Sequence, residues 1–187
     1  MAASANASHD FTKASTEATT SFVDAYYTAL SSARDSINSY YAPAQATADG
    51  STIPDILWNG TSFADGDAVQ KLFVDEMPAH VFFDVHAVDC QILNPKYSTD
   101  PKMKPDKNFS MLVTTSGHLR LEDRKTGPLK DFSETFVLVP NVEKALTGGG
   151  KGAASRKRDW LIQLQNFRYV HHHHPSLIEG QVAMEME

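Results

Sequence analysis

The chain of 187 residues has a single cysteine, which rules out an internal disulfide and fits a reducing compartment. It has no surplus of positive charge: 17 Lys and Arg against 23 Asp and Glu leave a formal net charge of −6, which argues against a general nucleic-acid binder. No apolar run approaches membrane-spanning length, and the start MAASANASHDF lacks the basic-then-apolar order of a signal peptide. The expectation is a nuclear or cytosolic protein without membrane contact. Three Asn-X-Ser/Thr triplets, at Asn6, Asn59 and Asn108, carry no weight without a secretory signal.

What remains is ordinary globular material, 41% hydrophobic and 21% charged, long enough for one compact core. Residues 1–9 are small and polar and read as disordered. From Asp10 onward Phe11, Phe22, Tyr26, Leu30, Ala33, Ile37 and Tyr40 recur at three- and four-residue steps. That is an amphipathic helix of about 30 residues, with a break near its middle and a stop at Pro43. ILWNGTSF (56–63) reads as an extended segment turning at Asn59-Gly60. Asp65 then caps a helix whose apolar face is Val69, Leu72, Phe73 and Met77, closed by Pro78. The rest is β-rich: strands at 80–93, 109–122, 131–140 and 159–170, the middle pair joined as a hairpin through Gly127-Pro128. Helices first and antiparallel strands after give the class α+β. Two connections, 94–108 and 141–158, are long enough to expect a function of their own or disorder, and 171–187 reads as a tail.

The strand HVFFDVHAVDCQIL holds an acid, Asp89, between Val88 and Cys90, where an unpaired charge is costly. It is either a catalytic base or half of an ion pair. Period-two alternation puts Val81, Phe83, Val85 and Ala87 on one face, and the pattern inverts from Val88 on. A one-residue bulge at Ala87–Val88 would restore a continuous apolar face. Asp84, His86, Asp89 and Gln91 then share the opposite face, with Phe82.

Other candidates read more plainly. His171 to His174, consecutive on a tail, cannot converge tetrahedrally on a zinc ion, so no metal is expected. TGGGKGAAS lacks the spacing of a phosphate-binding loop. Lys151, Arg156, Lys157 and Arg158 are candidates for contact with RNA phosphates, weighed against a solvated charge run. Lys96, Lys102, Lys104 and Lys107 read the same way. A small-molecule enzyme would draw on Asp89, His86 and Tyr26 or Tyr27, but no spacing marks an activated nucleophile.

FVDAYYTAL (22–30), LWNG (57–60), LFVDEMP (72–78), VDCQ (88–91), DFSETFVL (131–138) and WLIQLQNFRY (160–169) occur in an order that resembles the nuclear transport factor 2-like family. More narrowly they resemble its export factors, the small subunits of the general mRNA export receptor, in the long-looped fungal form known as the mRNA transport regulator. The resemblance spans about residues 10–170. It implies a cone: a strongly curved antiparallel sheet around a long N-terminal helix. It also implies a non-catalytic, cofactor-free protein in obligate heterodimer with the large receptor subunit, sheet against sheet. Such a complex carries messenger ribonucleoprotein, and in fungi large ribosomal subunit precursors, through the nuclear pore. It does so on phenylalanine-glycine nucleoporins, shuttling between nucleus and cytoplasm. The aspartate of Val-Asp-Cys-Gln, which faces an arginine of the large subunit in that family, falls on Asp89. Gln91, His86, His118, Arg120, Thr135, Val137, Gln165 and Phe167 are placed on the same surface by alternation. Dehydratases and isomerases share the fold, and they remain the alternative.

Overall fold

The computed structural model describes residues 2–48, 50–147 and 158–170. The first helix, α1, runs Ala2–Ser32, and a 3-10 helix continues over Arg34–Tyr40. Two short strands follow, β1 (Gln45–Ala46) and β2 (Thr52–Ile53), and then the hairpin of β3 (Asp55–Trp58) and β4 (Thr61–Phe63). Next comes α2 (Gly66–Lys71), prolonged by a π-helical turn over Leu72–Glu76. The long strands are β5 (Val81–Asn94), β6 (Ser110–Leu121), β7 (Leu129–Pro140) and β8 (Trp160–Val170), with α3 (Val142–Thr147) between the last two.

Six strands form one sheet in the order β4-β3-β8-β7-β6-β5, antiparallel except where β3 runs parallel to β8. The helix α1 lies in the hollow of the sheet. Phe22, Val23, Tyr26, Tyr27 and Leu30, spaced for one helical face, meet Val113, Leu119, Phe132, Phe136 and Leu138. All ten are buried, and each such side chain contributes about 1.5–3 kcal/mol of transfer free energy.

Local chemistry explains the breaks. The break expected near the middle of the helix from Asp10 to Tyr40 falls later, at Ala33, whose φ of −136° and ψ of 50° leave the helical region. Arg34 bridges that division, donating to the carbonyls of Phe73 and Pro78 at the end of the α2 segment. At the other end α1 starts at Ala2 and not at Asp10, so the expected disorder over 1–9 gives way to helix. Four alanines among residues 2–9 carry the highest helix propensity. Asp65 caps α2 as expected, its Oδ1 accepting from the Ala68 N–H at 2.9 Å. Asn59 and Gly60, with φ of 49° and 88°, make the turn between β3 and β4.

The connection 94–108 is held in place. Asn108 accepts the Ser98 N–H and donates to the Ser98 carbonyl, and a 3-10 turn forms over Pro105–Lys107. The connection 141–158 begins as α3, and its residues 148–157 lie outside the described part. The tail at 171–187, with its four histidines, lies outside it too.

Candidate functional site: the outer face of the sheet

Register decides which side chains look away from α1, and one strand had to change phase. In β5 the pairing with β6 steps between Val85↔Gly117 and Ala87↔Ser116, so His86 is the extra residue. The bulge stands one residue ahead of the Ala87–Val88 slip read from the sequence, so Ala87 turns outward instead of inward while Val88 and the residues after it keep the expected faces. Asp89 pairs with Thr114, in phase with the outward Ala87 and Gln91. Gly117 is what allows the close approach: a Cβ there would lie 2.0 Å from the Asp84 carbonyl oxygen.

The outer face can be followed row by row. Leu112, Val137 and Leu164 form an aliphatic run, flanked in the same row by Gln91 on β5 and Asp55 on β3. Asp89, Thr114, Thr135, Asn166 and Leu57 form the next, with Asp89 exposed. Ala87, Ser116, Ser133 and Arg168 follow, and then Asp84, His118, Asp131 and Val170. Phe82, Arg120 and Leu129 close the face. One end is therefore charged, the centre carries small polar side chains, and the other end is aliphatic only in its middle, between Gln91 and Asp55. His86 stands edge-on to His118 with ring centroids 4.3 Å apart. Its Nε2 lies 3.3 Å from Asp84 Oδ2, and Nδ1 of His118 is hydrogen-bonded to Asp131. Arg120 is turned toward its own hairpin, donating to the Gly127 carbonyl at 2.9 Å. The Oδ1 of Asn166 is the buried side-chain oxygen without a hydrogen-bond partner among the described residues.

Of the nine sequence-derived candidates for this surface, Asp89, Gln91, His86, His118, Arg120, Thr135 and Val137 lie on it. Gln165 and Phe167 do not. Their pairing with β7 steps between Val137↔Leu164 and Leu138↔Ile162, which leaves Gln163 as an extra residue. That second bulge turns Gln165 and Phe167 inward, where they are 1% and 0% exposed, and brings Leu164, Asn166 and Arg168 out. Ile56 and Trp58 of β3 pair with these two inward residues, and Trp58 stacks on Phe167 at 3.9 Å.

Among the basic candidates, Lys151, Arg156 and Lys157 lie outside the described residues. Arg158 stacks its guanidinium 4.0 Å over the Tyr40 ring. Lys107, read as solvated, stands 3.7 Å from Asp159.

The interior contains an acid that the sequence reading did not single out. Glu134 is wholly buried between Phe132 and Phe136 on β7. The Tyr27 hydroxyl donates to its Oε2 at 2.6 Å, and Gln165 Nε2 donates to its Oε1 at 2.5 Å. Thr115 then donates to Tyr27 at 2.6 Å, Tyr41 donates to Gln165 Oε1 at 2.6 Å, and Gln165 also donates to the Tyr26 hydroxyl at 2.7 Å. Burial pushes the Glu134 carboxyl up to about 7, against the lowering effect of the bonds from Gln165 and Tyr27. Burial likewise raises the hydroxyls of Tyr26 and Tyr27. The alternation of 131–140 already put Glu134 in phase with two phenylalanines, and that was the available signal.

Chemically, the carboxylate has the donors of a stable core network. Glu134 itself lines none of three surface grooves, although Tyr27 borders one of them. Phe22, Tyr26 and Phe73 fill the hollow. No cluster of three or more metal-ligating side chains occurs among the described residues, and none of their helices is long and apolar enough to cross a membrane.

The sequence pattern of the nuclear transport factor 2 (NTF2) domain matches residues 18–146. Among solved structures, the chain is similar to a Chaetomium thermophilum Mex67 NTF2-like domain complexed with Mtr2, at 23% identity and a TM-score of 0.67. It is also similar to a Sac3N peptide bound to Mex67:Mtr2, at 22% identity and 0.65, and to Mtr2 itself, at 20% and 0.61. Each alignment covers 84% of this chain and 99% of the other. No curated protein matches. A domain pattern that takes in more than half of the residues, on a helix-filled curved sheet, decides the family: the chain belongs to the nuclear transport factor 2 domain family.

Proposed function

We propose that this protein is the non-catalytic small subunit of a heterodimeric nuclear export receptor for mRNA, and that its outer sheet face binds the matching domain of the large subunit. The observation that carries this reading is the uncovered face from β5 to β3, with Leu112, Val137 and Leu164 as an aliphatic run beside the row that holds the exposed Asp89. Five strands about 4.8 Å apart and eight residues of about 3.3 Å each give a footprint of roughly 600 Å². That approaches the ~800 Å² per partner of a standard interface. Mtr2, whose fold this chain resembles, is found in complex with Mex67.

Asp89 is the proposed charge partner of an arginine on the large subunit. An ion pair desolvated at such a centre sets specificity, and removing or reversing one member costs on the order of 2–5 kcal/mol. Gln91, Thr135 and Val137, together with Leu164 and Asn166, form the surrounding contact, with His86 and His118 at the charged end. Passage through the pore on phenylalanine-glycine nucleoporins, carriage of large ribosomal subunit precursors and shuttling between nucleus and cytoplasm belong to the same proposal. So does an RNA contact through Lys151, Arg156 and Lys157. Arg158 is the weaker member, since its guanidinium is already engaged by Tyr40.

The test is co-expression with the NTF2-like domain of a Mex67-type large subunit, followed by size determination. The wild-type chain is expected to co-elute as a one-to-one complex, and Asp89→Arg to elute alone with an unchanged circular dichroism spectrum. Co-elution of the variant at wild-type yield would refute the assignment of Asp89. An enzyme of the same fold would need Glu134 or a neighbour at an open cavity, and the filled hollow around Phe22, Tyr26 and Phe73 speaks against that alternative.

A further inference from the structure

On the side of α1 away from the sheet's outer face lies a groove of about 1290 Å³, larger than the ~300–1,000 Å³ of small-molecule pockets. One wall is α1 from Asp10 to Ala25, and the other is the 3-10 helix 34–40. Pro105–Lys107 and the start of β8, with Lys144 of α3, close the ends. Phe11, Phe22, Tyr40 and Trp160 supply aromatic surface, and the half-buried Ala14, Ala18 and Ala25 keep the α1 wall low. The wall from Phe11 to Ala25 is about 21 Å long at 1.5 Å per residue, the length of four helical turns. None of the outer-face residues lines it, so it stays open when that face is covered.

The charges on its rim are unbalanced in a specific way. Every basic residue is engaged: Lys13 with Glu17 at 3.9 Å, Lys107 and Lys144 with Asp159 at 3.7 and 3.1 Å, and Arg158 over Tyr40. Asp10, Asp35 and Asp106 also line the groove, and no ion pair to them occurs among the described residues. The lining thus holds five carboxylates against four bases. Its apolar floor, with three carboxylates outside these ion pairs, complements a segment with apolar side chains on one face and lysine or arginine on its flanks.

We infer that this groove is a second docking site, which receives a basic amphipathic helix from a partner protein. The anchors of the helix enter between Ala14, Ala18 and Trp160, and its cations meet Asp10, Asp35 and Asp106. A site on the helix side would let the protein hold a second protein while the sheet face is occupied. The inference does not depend on what binds that face.

The test uses the full chain and two synthetic 16-residue helical peptides, one of leucine and lysine in amphipathic order and one with glutamate in place of lysine. Fluorescence anisotropy of a dye-labelled peptide reports occupancy, since the chain has a second tryptophan, Trp58, and the groove-filling variants add another. The lysine peptide is expected to bind at least tenfold more tightly than the glutamate peptide. Ala18→Trp, which fills the groove, and the triple variant Asp10→Lys, Asp35→Lys, Asp106→Lys should each weaken it at least tenfold. Asp75→Lys, outside the groove, should leave it unchanged. Ala14→Trp replaces Ala18→Trp if the latter loses its circular dichroism spectrum. Equal affinity for the two peptides, or insensitivity to both filling variants, would overturn the inference. So would a loss of binding in Asp75→Lys as large as in the triple variant, which would mark attraction by net charge alone. Deletion of 148–157, whose flanking neighbours Lys144 and Arg158 line the groove, should also leave affinity unchanged. A tenfold gain would make the chain's own segment the occupant and overturn the partner assignment.

Discussion

Replacing Glu134 by glutamine should stabilise the protein by an amount that grows as pH rises from about 4.5 to 7 and is constant above. The carboxyl is fully buried and its folded-state pKa is raised from 4.5 to about 7. The folded state thus holds the proton more tightly than the unfolded state, and ionisation works against folding. Below about pH 4.5 Glu134 is protonated in both states and costs nothing. Between 4.5 and 7 stability falls as pH rises, and above 7 the full penalty applies. A difference of two to three pH units corresponds to roughly 3 kcal/mol, an upper bound because the network relaxes around the charge. Glutamine keeps the shape and the bonds: its oxygen accepts from Gln165, and its amide donates to Tyr27, which then turns to donate to Thr115. Urea titrations of wild type and Glu134→Gln at pH 5.0 and 8.0 isolate the effect, because every other titrating group cancels in the difference of differences. The expected result is a gain below about 1 kcal/mol for the variant at pH 5.0 and a larger one, about 1–3 kcal/mol, at pH 8.0. At about 2–4 °C per kcal/mol for a chain of this length, the Tm gain is readable by calorimetry. A variant destabilised by the same amount at both pH values would refute the reasoning. It would mean that the donors from Tyr27 and Gln165 outweigh desolvation and hold the group ionised.

Gly117→Ala is expected to lose about 1–3 kcal/mol in chemical denaturation, since its Cβ would stand 2.0 Å from the Asp84 carbonyl oxygen and the bulge in β5 would have to shift. A midpoint equal to wild type would show that this close approach is not needed. Asp65→Ala should cost about 1 kcal/mol and Asp65→Asn much less, because only the alanine removes the acceptor for the Ala68 N–H. Equal losses in the two variants would assign the effect to charge and not to capping.

How much of this was legible in the sequence depends on the period that carried each signal. The four long strands, the Asn59-Gly60 turn, the Asp65 cap and the aromatic stripe of α1 all follow from local rules that neighbours several residues away do not change. The division of the long helix at Ala33 is different. Nothing at Ala33 forbids helix, and the turn is held by Arg34 reaching carbonyls some forty residues on, at Phe73 and Pro78. Such a contact has no local trace.

The two bulges show where alternation succeeds and where it stops. In β5 the inversion was visible because apolar residues crowd both halves, Val81, Phe83 and Val85 before it and Val88, Cys90 and Ile92 after. Only a slip could reconcile them, and Asp89 was turned outward correctly. In β8 the residues near the bulge are Leu161, Gln163, Leu164, Gln165 and Asn166, and the alternation across them admits more than one phase. The choice falls to a partner outside the strand. Glu134, buried on β7, needs a donor at its Oε1, and Gln165 supplies it only if Gln163 is looped out. The same slip seats Phe167 against Trp58 and Phe132. A buried acid on one strand thus fixes the phase of its neighbour, and so determines that Leu164, Asn166 and Arg168 face outward in place of Gln165 and Phe167. Had Glu134 been read as inward from its place between Phe132 and Phe136, its need for a donor would have pointed to Gln165, and the phase of the last strand would have followed.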